Sequence, residues 1–109
     1  MYTCPVCAYP KLPEPPRNFS ICPSCGTEFG YDDAKVSHTE LRHRWIAANA
    51  PWFSTARHPS PGWNPWVQLI EGHYEGEVPF LARFQAQRLD VIRAKAIIAP
   101  QVVYTVQFT

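Results

Sequence analysis

The chain has four cysteines in 109 residues, and all of them fall in two matched steps, Cys4-Pro5-Val6-Cys7 and Cys22-Pro23-Ser24-Cys25. No other feature restricts the fold as strongly. Two C-x2-C turns separated by fourteen residues bring four soft thiolates toward the corners of a tetrahedron, the geometry that zinc accepts without electronic preference. Proline in the second position stiffens each turn, and the backbone N–H groups that follow can point at sulfur and spread its charge. The expected ligands are therefore Cys4, Cys7, Cys22 and Cys25, holding one Zn2+. Iron in the same ligand set, as in a rubredoxin, is the alternative. Four protein sulfurs leave no position for water or substrate, so the ion reads as structural. It staples a segment too short to hold an oily core of its own.

The rest of the chain reads as an α+β protein: an N-terminal rubredoxin-like zinc ribbon followed by two helices and a C-terminal strand. Residues 1–35 form the ribbon, and residues 36–109 form a helical and aromatic-loop region packed with it as one compact unit. Within the ribbon, Pro10, Pro13, Pro15 and Pro16 favour an extended, polyproline-like excursion. Asn18-Phe19-Ser20-Ile21 alternates polar and apolar and reads as a short strand into the second knuckle, with a return strand over 27–31. Gly26 fits a turn at positive φ under the metal. Ser37-His38-Thr39-Glu40 is a capping box that starts a helix running to about Asn49, with Leu41, Trp45 and Ala48 on one face. Residues 51–66 carry four prolines and three tryptophans without a period. Residues 66–70 read as a brief strand or a helical turn, and Gly72 and Gly76 bracket a turn. The longest helix is expected over 77–99, and residues 102–108, rich in β-branched and aromatic side chains, read as a strand.

Composition narrows the function classes. With 46% apolar and 14% aromatic residues the chain is globular rather than disordered. No apolar run approaches the roughly 20 residues that span a bilayer, so no membrane partner is expected. The residues ahead of Cys4 lack the character of a signal peptide. The expected setting is cytoplasmic, where thiols stay reduced and paired C-x2-C steps bind metal rather than close disulfides. Formal net charge is +1; four thiolates lower it by four and a divalent ion raises it by two, to −1. That balance lacks the basic stripe that phosphate recognition requires, and Lys11, Arg17 and Lys35 are a thin supply near the knuckles.

Tyr2-Thr3-Cys4-Pro5-Val6-Cys7-Ala8-Tyr9, Leu12, Ile21-Cys22-Pro23-Ser24-Cys25, Glu28 and Asp32-Asp33 together resemble the cysteine-rich CPCC family of small bacterial proteins, over residues 2–33. The first knuckle reads CPVC where the family name implies CPCC, and Ala8 stands where glycine usually follows a knuckle. The resemblance implies a zinc ribbon. It also implies an immunity or antitoxin-type role, which has been proposed for members in polymorphic-toxin gene clusters.

Other residues carry weaker signals. Trp52, Trp63 and Trp66, with Trp45 and Phe53, are either aromatic anchors of the proline-laden loop or a surface that binds a partner. Arg88 and Lys95 lie beside the apolar face of the long helix, where they reach over it into water, pair with Glu71, Glu75 or Glu77, or meet an acidic partner. The acidic trio is by default a solvated face, and Asp32-Asp33 is most simply a turn. His38, His43, His58 and His73 form no metal motif and read as caps, surface groups or aromatic contacts. No cysteine is spare for a Cys–His nucleophile pair, so neither an enzyme nor a small-molecule substrate is expected. The function expected is protein binding through a zinc-built module. Nucleic-acid binding and rubredoxin-like electron transfer are the alternatives.

Overall fold

A computed structural model of the chain describes residues 1–84. Arg88, Lys95, most of the helix expected over 77–99 and the strand expected over 102–108 lie outside the described residues. The chain divides into two compact units, Met1–Val78 and Pro79–Thr109, so residues 36–78 share a unit with the cysteine segment. In the second unit, residues 80–84 are helical. Among the described residues no helix is long and apolar enough to cross a membrane.

The first helix, α1, spans His38–Ala47. Ser37 is extended, and its Oγ accepts the Glu40 N–H at 3.0 Å, a cap worth about 1 kcal/mol. The Glu40 carboxylate takes Arg44 one turn on, at 3.3 Å. Past Ala48 the chain reverses through Asn49 and Ala50, both left-handed (φ 74 and 48), and the Ala50 N–H returns to the Trp45 carbonyl at 2.8 Å. That closure ends the helix before Pro51. The buried side chains of α1 are Arg42 and Trp45, whereas of the expected stripe Leu41 is half-buried and Ala48 exposed. Arg42 goes inside with its charge partly met there, its Nη1 buried without a hydrogen-bond partner among the described residues. Its guanidinium lies 3.7 Å over the Tyr74 ring, and its Nε donates to Glu77 Oε1 at 3.3 Å.

Residues 66–70 resolve as helix. In α2, Pro65–Glu71, the Asn64 side chain accepts the N–H groups of Trp66 and Val67 at 2.8 and 3.2 Å. Pro65 takes the first position, where a missing N–H costs nothing. Leu69 is fully buried and Trp66 nearly so. Gly72 caps the end, and a 3-10 turn follows at Glu75–Glu77. The long helix expected from residue 77 therefore begins later, at 80.

Strand content is lower than expected. The described residues contain isolated antiparallel bridges at Tyr2↔Leu12 and Ile21↔Glu28 and no extended strand. The expected strand at 18–21 is replaced by a tight reversal. Asn18 and Phe19 both have positive φ (56 and 63), and Ser20 N–H returns to the Arg17 carbonyl at 3.2 Å, as in mirror-image turns of hairpins. The alternation of polarity there does not sort the side chains into a buried and a solvated face, since Phe19 and Ile21 are both exposed and Ser20 is half-buried. Leu12 is buried, so the proline excursion is anchored at its middle by the bridge to Tyr2.

One close approach keys the cysteine segment to α2. A Cβ built on Gly72 would overlap the Cβ of Ala8, although the Gly72 backbone (φ −87) suits any residue. Gly72→Ala should therefore cost about 1–3 kcal/mol by steric overlap alone. Adding Ala8→Gly, at a site of φ 70 where glycine is at ease, should restore most of it. A double-mutant cycle of chemical denaturation midpoints checks this, and additive losses would contradict the contact.

Candidate metal centre

The two knuckles are built alike. Ala8 N–H donates to the Cys4 carbonyl at 2.9 Å and Gly26 N–H to the Cys22 carbonyl at 2.8 Å. Cys4 N–H meets the Tyr9 carbonyl at 2.8 Å, and Cys22 N–H meets that of Thr27 at 3.0 Å. The residue after each knuckle is left-handed, at φ 70 for Ala8 and 80 for Gly26. Gly26 does what its type allows. Ala8 accepts the same conformation at a cost of about 1–2 kcal/mol, held there by burial against Gly72.

These turns bring the four sulfurs together within 4.8 Å of one another. They pair across the knuckles, Cys4 with Cys25 at 3.8 Å and Cys7 with Cys22 at 3.7 Å. A tetrahedral ion with metal–sulfur bonds of about 2.3 Å requires sulfur–sulfur edges of about 3.8 Å. A disulfide requires about 2.05 Å, and all four cysteines are free. With both cross-knuckle pairs already at that spacing, the four side chains form a candidate tetrathiolate metal site. In the first knuckle the N–H groups of Val6 and Cys7 lie 3.4 and 3.5 Å from Cys4 Sγ, and Thr27 Oγ1 lies 3.2 Å from Cys25 Sγ.

Electrostatics point the same way. Cys4, Cys7 and Cys22 are at most 1% exposed, and Cys25 alone is partly exposed. Burial, together with the neighbouring sulfurs, pushes the Cys7 thiol far up. Cys4 is pushed up by its contacts with Cys22 and Cys25, while Cys25 is drawn far down by Cys22, Cys4 and Cys7. Crowded in a dry site, Cys4, Cys7 and Cys25 hold their protons unequally. A divalent cation at the centre of the cluster would be held by the sulfurs as thiolates and would relieve that crowding.

A second layer surrounds the sulfurs, and its main member was not singled out from the sequence. Gln68 of α2 is buried, and its Nε2 donates to the Cys7 carbonyl at 2.9 Å and to Ser24 Oγ at 3.1 Å. Its Oε1 accepts the Trp63 indole N–H at 2.7 Å. A lone amide between Val67 and Leu69 in an apolar helical turn was the signal available. On the other side, the N–H groups of Phe53 and Ser54 bond the Pro23 carbonyl at 3.2 and 2.9 Å, and the Phe53 ring lies 2.5 Å from where a Gly26 Cβ would be.

The tryptophans considered as partner contacts divide. Trp66, 6% exposed, belongs to the core and offers no contact surface. Trp52 and Trp63 are half-buried, edge to face at 5.1 Å, with Tyr9 against Trp52 at 5.6 Å. Their indole N–H groups are taken, by the Arg57 carbonyl and by Gln68. Trp45 likewise donates to the Pro51 carbonyl. Asp32 and Asp33 accept the N–H groups of Glu28 and Gly30 at 2.7 Å each, as a turn. His38 bonds Asp33 at 2.9 Å and meets the Phe29 ring edge on. Glu77 leaves the solvated face expected of it, since His43 Nε2 lies 3.1 Å from the same oxygen that takes Arg42. Arg88 and Lys95 are not among the described residues.

No protein-family model, curated protein or solved structure matches the chain.

The Asp33 carboxyl is held below its ordinary value of 3.8, chiefly by His38 and then by the Gly30 N–H. A carboxylate lowered in the folded state contributes stability that is complete above its unfolded pKa and is lost as pH falls through the folded value. Asp33→Asn should therefore lower stability near pH 6 slightly, by less than about 1 kcal/mol for a pair at the surface with its histidine largely in solvent. The gap from the parent should close as pH falls from about 5 to 3. Paired thermal melts across that range test it, and a gap that widens toward acid would be the wrong sign.

Proposed function

We propose that the four cysteines hold one structural zinc ion and that the unit so stapled is a protein-binding module, of the immunity or antitoxin type that the CPCC-like residues imply. The observation that carries the metal reading is the sulfur geometry, with cross-knuckle edges of 3.7 and 3.8 Å among free, largely buried thiols. With sulfur in every coordination position the ion has no open site, so its work is folding rather than turnover. The same donor set takes iron, and the two metals separate cleanly by measurement.

Protein binding is supported over nucleic-acid binding by charge. Residues 1–78 hold six Lys and Arg against eight Asp and Glu, and Arg42 among the cations is buried. Four thiolates around a divalent ion add a further net two negative charges. Phe19, Ile21 and Tyr31 stand 64%, 51% and 70% exposed on the segment around the second knuckle. They are apolar groups of the kind that cores of protein interfaces use.

The purified protein should contain one zinc per chain and be colourless. A red protein with ferric–thiolate absorption would replace zinc with iron and revive electron transfer. Cys22→Ser should lose the metal and, because the knuckles bond Phe53, Ser54 and Gln68, should also abolish the near-ultraviolet dichroism of the tryptophans. All four tryptophans lie between residues 45 and 66, so a preserved signal would confine the staple to the first 35 residues.

Mixed duplex and single-stranded oligonucleotides should not bind at 50 mM salt. Binding that weakens steeply toward 200 mM, the mark of phosphate contacts, would favour the nucleic-acid alternative. Co-expression with the products of adjoining genes tests the immunity role directly. Growth rescue and a stable complex with one of them would support it, and toxicity unaffected by this chain would remove it.

A further inference from the structure

Gln68 is placed to act on the metal centre without touching it. Trp63 Nε1 can only donate, so the Gln68 atom facing it at 2.7 Å is the carbonyl oxygen. That contact fixes the amide's orientation and turns the NH2 toward the knuckles. One planar group then reaches both: the carbonyl of Cys7, itself a ligand residue, at 2.9 Å, and the hydroxyl of Ser24, between the two cysteines of the second knuckle, at 3.1 Å. Gln68 and Ser24 are both buried, at 6% and 0% exposure, as is Cys7. Loss of the amide would strand the buried Cys7 carbonyl and Ser24 hydroxyl.

Resting on the metal reading above, we infer that Gln68 is the positioning residue of the metal centre, a cross-brace that holds the first and second knuckles at the separation a tetrahedral ion requires. The sulfur edges between knuckles are the ones the ion must span, and nothing in either knuckle's own hydrogen bonds sets them, because those close within each knuckle. The amide links the peptide of Cys7 to the side chain of Ser24 and so constrains that separation from outside. Partners of this kind commonly change metal affinity about ten- to hundredfold when removed. The brace should slow release of the ion more than it raises the stability of the fold.

The test compares full-length parent, Gln68→Met, Trp63→Phe and Leu69→Ala. Gln68→Met keeps the length and removes the polar atoms. Leu69→Ala weakens the same helix through packing alone, because Leu69 is fully buried and lies outside the amide's bonds. Each protein is loaded with zinc, and transfer to excess chelator is timed at an equal interval below its own melting temperature. Each is also loaded with cobalt, and the visible ligand-field bands are recorded.

Gln68→Met should release zinc at least about tenfold faster than Leu69→Ala and should shift or broaden the cobalt bands, which Leu69→Ala should leave unchanged. Equal release rates with unchanged bands would overturn the brace while leaving the metal site intact. A parent that takes up no metal at unit stoichiometry would instead overturn the metal reading itself. Should Gln68→Met fail to fold, Trp63→Phe decides. It removes the donor that orients the amide while keeping an aromatic ring against Trp52, so altered cobalt bands support the brace and bands identical to the parent's overturn it.

Discussion

Four sulfur atoms, drawn within 4.8 Å of one another by two like turns, occupy the place that aliphatic side chains fill in a larger domain. Around them the segment to residue 35 buries little else of size, chiefly Val6, Leu12 and Phe29. That is too small an interior to offset the ordering of so many residues. The metal proposed for the four cysteines would concentrate the missing free energy at one point. Other features of the first unit attach to that point: the Phe53–Ser54 backbone on the second knuckle, the Gln68 amide between knuckles, and Gly72 against Ala8.

The parts of this arrangement that were legible in the sequence are those governed by short-range chemistry. The ligand set follows from spacing, the start of α1 from a hydroxyl that can reach its third N–H, and the positive φ of Gly26 from what only glycine adopts freely. The parts that were not legible depend on partners far along the chain. Arg42 looks like a surface residue until Tyr74 and Glu77 are brought beneath it. Gln68 looks incidental until two knuckles from the other end of the unit converge on it. Asn18-Phe19 carries the alternation of a strand, but the backbone there turns left-handed, and an exposed Phe at φ 63 is a choice that no propensity scale anticipates.

The aromatic loop shows how a proline-rich stretch without regular structure becomes ordered. The indole N–H groups of Trp52 and Trp63 find acceptors in the Arg57 backbone and the Gln68 side chain, and that of Trp45, from α1, takes the Pro51 carbonyl at the start of the loop. The rings of Trp52, Trp63 and Tyr9 stack edge to face. Such rings contribute large area at small rotamer cost, and prolines reduce the freedom lost on ordering. With the donors of Trp52 and Trp63 satisfied internally, the loop is a wall of the unit. It presents outward Phe53, Arg57 and His58 beside the half-buried Trp52 and Trp63.

The likeness of the two knuckles also bears on how the molecule assembles. Each closes on hydrogen bonds spanning only four or five residues, so each is a local half-site that an unfolded chain visits often. The connection between them is short enough to close in roughly 100 ns. Chain diffusion is therefore not the slow event at this end. On the proposed metal reading the waiting time would be that of an ion's arrival, and the rate at which newly made copies become ordered would follow the free metal supply of their surroundings.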